Sequence, residues 1–133
     1  MQNYVTPALC YEVVYPDLVA AGAREADVLL TVSNDAWFGD SLGPLQHMQM
    51  AQMRALENGR YMIRGTNNGI SGIINPRGEV EAVTEQFVAT TLTGNVTAYR
   101  GHTPFMRWLS TPVIVLCGAL LLVTLLRRKA GCR

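Results

Sequence analysis

The spacing of apolar residues in the first part of the chain predicts strand, helix and strand in succession. Two short apolar runs of strand length, at residues 4–9 and 27–33, flank a segment of helical character that starts at Pro16 and closes near Gly22. This order and spacing predict a βαβ unit, and therefore two parallel strands in one layered α/β sheet. The run at 27–33 is nearly continuous, which is typical of a strand covered on both faces.

A longer helix is predicted next. Pro44 opens a run of helical spacing that continues to Asn58, and Gly59 is its expected C-terminal stop. The apolar positions of this helix at the expected spacing are Leu45, Met48, Ala51 or Gln52, Ala55 and Leu56.

Short strands joined by tight turns are predicted after this helix. Strand-like runs occupy residues 61–67, 70–74 and 79–83. Asn68-Gly69 between apolar runs is a strong hairpin signal, and the Asn-Pro-Arg-Gly segment at 75–78 suits a type I turn. One more strand is expected at 91–99.

The C-terminal part of the chain has the pattern of a membrane span. Residues 108–126, WLSTPVIVLCGALLLVTLL, contain no charged side chain, and Arg-Arg-Lys follows at once. About 20 apolar residues cross the hydrocarbon core, and basic residues collect on the cytoplasmic side. We therefore expect a folded domain at 1–105 on the far side of the membrane, a transmembrane helix at 106–128 and a cytoplasmic tail at 129–133. A buried core helix is the less favoured alternative.

The N-terminus, MQNYVTPALC, has neither the basic nor the apolar region of a signal peptide. We therefore expect the chain to be a fragment of a protein with further spans upstream. Lysines and arginines number 11 against 10 acidic residues, so nothing indicates a nucleic-acid partner.

Cys10 is the cysteine with a chemical context, since the three cysteines are too scattered for a disulfide framework and Cys117 lies within the apolar run. It follows a predicted parallel strand and precedes a helix, where α/β folds place ligands and nucleophiles. The backbone N–H of Tyr11 is placed to donate to an oxyanion, and Glu12 could orient a neighbour or act as an acid or base. On these residues alone, a buried structural cysteine is slightly favoured. His47 lacks a second ligand at metal spacing and is interpreted as structural, so no metal is expected.

A family resemblance changes this balance. The segments CYE, LLTVSNDAWFG and RALENGRYMIRGTNNGISGIINPRGEV together resemble the second half of a carbon–nitrogen hydrolase (nitrilase-like) domain. Residues 34–69 resemble, more closely, the family of bacterial apolipoprotein N-acyltransferases. The resemblance implies a partial nitrilase-like α/β sandwich followed by one C-terminal transmembrane helix, and it covers nearly the whole chain. It also implies that Cys10 is the nucleophile of a Glu-Lys-Cys triad, whose glutamate and lysine lie outside this sequence, and that no cofactor is used.

The resemblance further implies a reaction and its partners. A phospholipid of the bilayer would give an acyl chain to Cys10 as a thioester, and the α-amino group of the diacylglyceryl-cysteine of an apolipoprotein would accept it. The protein would be a multi-pass protein of the bacterial inner membrane with a periplasmic catalytic domain. Trp37 and Phe38 could dip toward lipid or close over the acyl chain, with ordinary loop packing as the alternative.

Two other functions stay open at this point. One is a membrane-anchored nitrilase or amidase that releases its acid to water. The other is a non-catalytic anchored remnant of the enzyme. As a fragment of the acyltransferase, the isolated 133 residues are expected to be inactive, because the partners of Cys10 are expected upstream.

Overall fold

A computed structural model describes residues 2–130, in which five strands form one mixed sheet in sequential order. The strands are β1 (Val5–Leu9), β2 (Val28–Asn34), β3 (Met62–Asn67), β4 (Gly72–Ile74) and β5 (Val80–Val83). The helices are α1 (Pro16–Ala23), α2 (Gly43–Asn58), α3 (Pro104–Trp108) and α4 (Thr111–Ala130), with two short 3-10 helices at Cys10–Val14 and Asp35–Phe38.

The pairing of the strands confirms both the predicted βαβ unit and the predicted hairpins. β1, β2 and β3 are parallel, whereas β3, β4 and β5 are joined in antiparallel pairs. Leu9 lies beside Val32, and Asn34 lies beside Asn67. The carboxyl ends of three strands therefore meet along one side of the sheet, which we call the carboxyl edge.

Helices α1 and α2 cover one face of this sheet. The core between these helices and the sheet is built from buried aliphatic side chains, among them Val19, Ala23, Leu29, Met48, Ala51, Met62 and Ile74. Side chains on the opposite face are only partly covered by the part of the chain described here, and Val32 is 42% exposed. The expectation that β2 is covered on both faces is met at its start, where the neighbouring residues Val28 and Leu29 are both buried, but not toward its end at Val32.

The buried face of α2 agrees with the predicted one at Met48, Ala51 and Ala55 and differs at its margins. Leu45 and Leu56 are about half exposed, whereas the buried positions are Pro44, His47, Met48, Ala51, Arg54, Ala55 and Asn58. Polar side chains can occupy this face because they have partners: Arg54 bonds the carbonyl of Val14, and the Asn58 amide donates to the carbonyl of Arg54. The predicted stop is confirmed, since Gly59 takes a left-handed conformation with φ of 58°.

The strand expected at 91–99 does not form. This segment crosses the sheet instead of extending it: Gly94 lies against Ile73 of β4 so closely that a Cβ there would clash with the isoleucine side chain. At its end Tyr99 donates one backbone hydrogen bond to the carbonyl of Asp27 and stacks on Tyr61. Residues 91–99 therefore contact the sheet without pairing with any of its strands.

Three hydrogen-bonded contacts fasten the C-terminal helices to the α/β domain. Arg24, immediately after α1, donates twice to the carbonyl of Met106, at 2.7 and 3.1 Å. Thr103 donates to the carbonyl of Glu57 at 2.6 Å. Ser110, immediately before α4, donates to the carboxylate of Asp17 at the start of α1. We call these contacts the helix junction.

Helix α4 is long and apolar enough to cross a membrane, and residues 111–128 have no buried side chains. The helix begins at Thr111, later than the uncharged run predicts, because Leu109 takes a φ of 53° and separates α4 from α3. Trp108 accordingly belongs to α3. The C-terminal tail expected at 129–133 and Cys132 fall largely outside the described residues.

Candidate active site

Cys10 occupies a strained turn at the carboxyl edge. It directly follows β1, begins the 3-10 helix Cys10–Val14, is solvent-exposed, and has a φ of 49°. Non-glycine residues seldom adopt positive φ, and such strain tends to be found at functional sites. A sharp turn from strand to helix that lifts a nucleophile into the open is the local geometry of several enzyme families.

The turn is held from two sides. The Glu12 carboxylate accepts a hydrogen bond of 2.7 Å from the backbone N–H of Leu9, which closes the turn around the cysteine. On the other side, His47 Nε2 lies 3.2 Å from the carbonyl oxygen of Cys10. Because a carbonyl can only accept, His47 must carry a proton on Nε2. One carboxylate oxygen of Glu12 therefore stabilises the turn.

Beneath the turn lies a buried polar cluster formed by Asp35, His47 and Arg64, each at most 4% exposed. Arg64 donates to Asp35 Oδ2 at 2.6 Å and to the carbonyl of Ile70 at 3.1 Å. Asp35 Oδ1 lies 3.1 Å from His47 Nδ1. Burial lowers the pKa of the Arg64 guanidinium, while the negative charge of Asp35 and, less strongly, Cys10 act in the opposite direction. The cluster therefore places a paired cation near the thiol.

Ser33 connects the buried cluster to the thiol. Its hydroxyl lies 2.6 Å from Asp35 Oδ1 and 3.5 Å from the sulfur of Cys10. The residue is near the end of β2, which runs parallel to β1, so strand pairing alone brings it beside the turn after β1. This contact is the direct side-chain link between the nucleophile candidate and a charged group.

Gly69 is required by the position of the buried carboxylate. A Cβ at this residue would lie 2.7 Å from the Cβ of Asp35 and would clash with its Oδ2. Asn68 beside it takes a φ of 60°, as tight turns between strands require. The predicted hairpin turn thus also serves to close over the cluster.

The other predicted site residues lie along the carboxyl edge but are more exposed. Tyr11 is 59% exposed, and its ring meets that of Tyr15 edge to face. Trp37 and Phe38 lie on the 3-10 helix after β2, with Trp37 88% exposed and Phe38 40% exposed. Phe38 also contacts the ring of His47 edge to face. Residues 2–130 include no group of acidic, histidine and cysteine side chains that could hold a metal ion.

Sequence reasoning missed Ser33, Asp35 and Arg64 as members of the site. One signal was present: Arg64 is a charged residue on the same strand face as the buried Met62, and a charge there requires a buried partner. The interpretation of His47 as structural did not anticipate its bond to the backbone of Cys10.

The fold and this turn define a class of protein. The sequence model of the family described as carbon-nitrogen hydrolase matches residues 4–104, and the chain belongs to that family. Within it, the chain is 54% identical over 95% of its length to the apolipoprotein N-acyltransferase of Azotobacter vinelandii. The chain spans about a quarter of that curated relative, 24% of its length.

Solved structures agree on the fold. A nitrilase-superfamily protein of branch 10 from Saccharomyces cerevisiae matches with a TM-score of 0.51 and 23% identity, covering 62% of this chain and 33% of that protein. A carbon-nitrogen hydrolase from Helicobacter pylori matches with a TM-score of 0.54 and 14% identity, covering 63% of this chain and 37% of the other. The nitrilase-like α/β fold expected from the sequence is thereby confirmed.

Proposed function

We propose that this chain carries the nucleophile of an apolipoprotein N-acyltransferase, with Cys10 as that nucleophile. The observation that supports the role most directly is the exposed thiol on a turn of positive φ at the carboxyl edge of a carbon-nitrogen hydrolase domain. The acyltransferase assignment is supported by the likeness to the named relative, and it extends to this chain the activity that the relative's name gives.

The proposed reaction has two steps. The Cys10 thiolate attacks the ester carbonyl of a membrane phospholipid; a C–S bond forms, the C–O bond breaks, and the departing alkoxide takes up a proton. The α-amino group of the lipid-bearing N-terminal cysteine of an apolipoprotein then attacks the thioester. A C–N bond forms, the C–S bond breaks, the amine loses a proton, and the thiolate is restored. Splitting one difficult transfer in this way is the usual gain of covalent catalysis.

The residues around Cys10 have distinct proposed roles. The backbone N–H of Tyr11, the second residue of the 3-10 helix, would donate to the oxyanion of each tetrahedral intermediate. Glu12 supports the turn through its bond to Leu9 N–H, which is a positioning role. Trp37 and Phe38, exposed beside the thiol's edge of the sheet, would contact the acyl chain or the bilayer surface.

The location that fits this chemistry is the bacterial inner membrane. Ser110, at the start of α4, contacts Asp17, and α1 begins two residues after the 3-10 helix that holds Cys10. A span that starts at this point would bring the carboxyl edge close to the lipid headgroups. The basic residues after Leu126 support a cytoplasmic C-terminus and a periplasmic domain.

The test uses the full-length protein in native membranes, with a labelled phospholipid and a lipopeptide that has a free α-amine. Cys10→Ala and Cys10→Ser should both fail to form a labelled acyl-enzyme, because a serine hydroxyl is almost wholly protonated near neutral pH. Cys117→Ala, a thiol on the exposed surface of α4, is the matched control and should keep wild-type activity. A substantial rate in Cys10→Ala would contradict the assignment of the nucleophile.

The family also suggests a second candidate, a membrane-anchored C–N hydrolase in which water accepts the acyl group. The same assay separates the two functions. A transferase makes an amide with the lipopeptide and needs the amine to turn over, whereas a hydrolase releases free acid at the same rate without it. Release of acid that does not depend on the amine would favour the hydrolase.

A further inference from the structure

The Ser33 hydroxyl lies between two groups, each of which can accept its single hydrogen bond. It lies 2.6 Å from Asp35 Oδ1, the distance of a strong bond to a carboxylate, and 3.5 Å from the sulfur of Cys10. A hydroxyl donates a single hydrogen bond but also has lone pairs to accept others. While Cys10 is a thiol, its S–H can therefore donate to Ser33, and Ser33 can donate to Asp35.

We propose that Ser33 is the hydrogen-bond donor that stabilises the Cys10 thiolate, and that it changes partner when the thiol ionises. The thiol proton leaves to a base, the S–H bond being the one bond broken, and the sulfur keeps the electron pair. The Ser33 hydroxyl then rotates from Asp35 toward the sulfur and donates to it. Ser33 contacts the reacting atom, whereas Asp35, His47 and Arg64 are positioning residues.

The buried cluster lowers the free-energy cost of this change of partner. When Ser33 turns away, the Asp35 carboxylate keeps the 2.6 Å bond that Arg64 donates to Oδ2. It is therefore not left as an unpaired buried charge, which would cost several kcal/mol. Without the bond from Arg64, turning Ser33 away would leave the buried carboxylate unpaired.

With His47 neutral, the charged groups around the turn are two carboxylates and one guanidinium, so a neutral donor to the sulfur becomes important for a thiolate. Glu12 faces it from its own turn, Asp35 from the 3-10 helix after β2, His47 from α2 and Arg64 from β3. The two carboxylates oppose a thiolate, and the guanidinium favours one. His47 adds geometry, because its bond to the Cys10 carbonyl fixes the strained turn that holds the sulfur above Ser33.

The test measures ionisation of Cys10 without any acyl transfer. Cys117→Ala and Cys132→Ala leave Cys10 as the single thiol of these 133 residues. Any other cysteine of the full-length protein is replaced in the same way. The rate of alkylation by iodoacetamide is then recorded against pH in membranes. The variants are Ser33→Ala, Ser33→Thr, which keeps a hydroxyl, and Ser41→Ala, a control whose hydroxyl bonds the backbone N–H of Gly43.

Ser33→Ala should move the midpoint of the rate profile upward by about one pH unit, so that alkylation below the midpoint slows about tenfold. The plateau at high pH, where the thiol is fully ionised, should be unchanged, which shows that the turn is still folded and accessible. Ser33→Thr should return the rate to within about twofold of the parent, and Ser41→Ala should match the parent. A Ser33→Ala midpoint equal to that of the parent, or a shift that threonine fails to reverse, would overturn the proposal. Either result would leave the proposed acyltransferase activity of Cys10 untouched.

Discussion

The pair formed by Arg64 and Asp35 allows a sharp test of the buried cluster. Both side chains are fully buried, and Arg64 also binds the carbonyl of Ile70. Arg64→Leu keeps much of the volume but removes these bonds and leaves the Asp35 charge inside the domain. Stranding one partner of a buried pair costs about 3–5 kcal/mol, a large part of the 5–15 kcal/mol that stabilises a typical domain.

The matched control is Arg77→Leu, which removes the same side chain from a surface pair. Arg77 contacts Glu79 at 3.0 Å, but the two side chains are 79% and 60% exposed, so we expect no measurable loss. Pulse proteolysis in urea, with the protein in detergent micelles, follows the α/β domain without interference from the helicity of α4. With an m value of about 1–3 kcal/mol/M, the midpoint for Arg64→Leu should fall by about 2 M relative to that of Arg77→Leu.

A second substitution tests the physical reason for the loss. If a stranded charge causes it, Arg64→Leu combined with Asp35→Asn should be more stable than Arg64→Leu alone, since the amide is neutral. Equal midpoints for Arg64→Leu and Arg77→Leu would refute the claim that the buried pair stabilises the fold. A double variant that is less stable than Arg64→Leu would refute the explanation by stranded charge.

Three other outcomes are expected from the structure. Gly69→Ala should destabilise the domain and slow alkylation of Cys10, because the added Cβ meets the buried carboxylate of Asp35. Gly65→Ala, whose Cβ would have its nearest neighbour 3.8 Å away, should do neither, and urea midpoints and labelling rates check this. Arg100 donates a hydrogen bond to Asp27 and so lowers the pKa of that carboxyl. The resulting stability is present above the pKa of about 4 that Asp27 has in the unfolded chain, and it is lost as pH falls through the lower pKa of the folded state. The unfolding midpoint of Arg100→Met should therefore lie below that of the wild type at pH 7 and approach it by pH 2. An impermeant thiol reagent should label Cys132 only after the inner membrane is broken; labelling in cells with an intact inner membrane would reverse the proposed orientation.

The parts of the fold that could be predicted are those set by short-range patterns. The strand–helix–strand unit, the hairpin at Asn68-Gly69 and the stop at Gly59 each depend on a few neighbouring residues. The strand expected at 91–99 was wrong, because this segment crosses a sheet face without pairing with a strand. The face of α2 was predicted only in part, because Arg54 and Asn58 are also buried, through hydrogen bonds that a hydrophobic pattern does not register.

The candidate site divides in the same way. Cys10 could be singled out because its position after a strand and before a helix is visible in the sequence. Asp35, His47 and Arg64 come from three separate elements, 12 and 17 residues apart, and no local spacing links them. Their association is a result of sheet register and of the packing of α2, so it could be found only from the folded chain.

The helix junction has a consequence for how the proposed reaction would depend on concentration. Arg24, Ser110 and Thr103 hold the start of α4 against the domain, so a membrane-embedded α4 would keep the thiol at a fixed height above the lipid. A substrate dissolved in the same bilayer then meets the enzyme by lateral diffusion within a thin layer, at an effective concentration set by its share of the membrane. Adding inert lipid at constant substrate would dilute that layer and slow the reaction, although the concentration per volume of the suspension stays the same. Rates are therefore best compared per mole fraction of lipid.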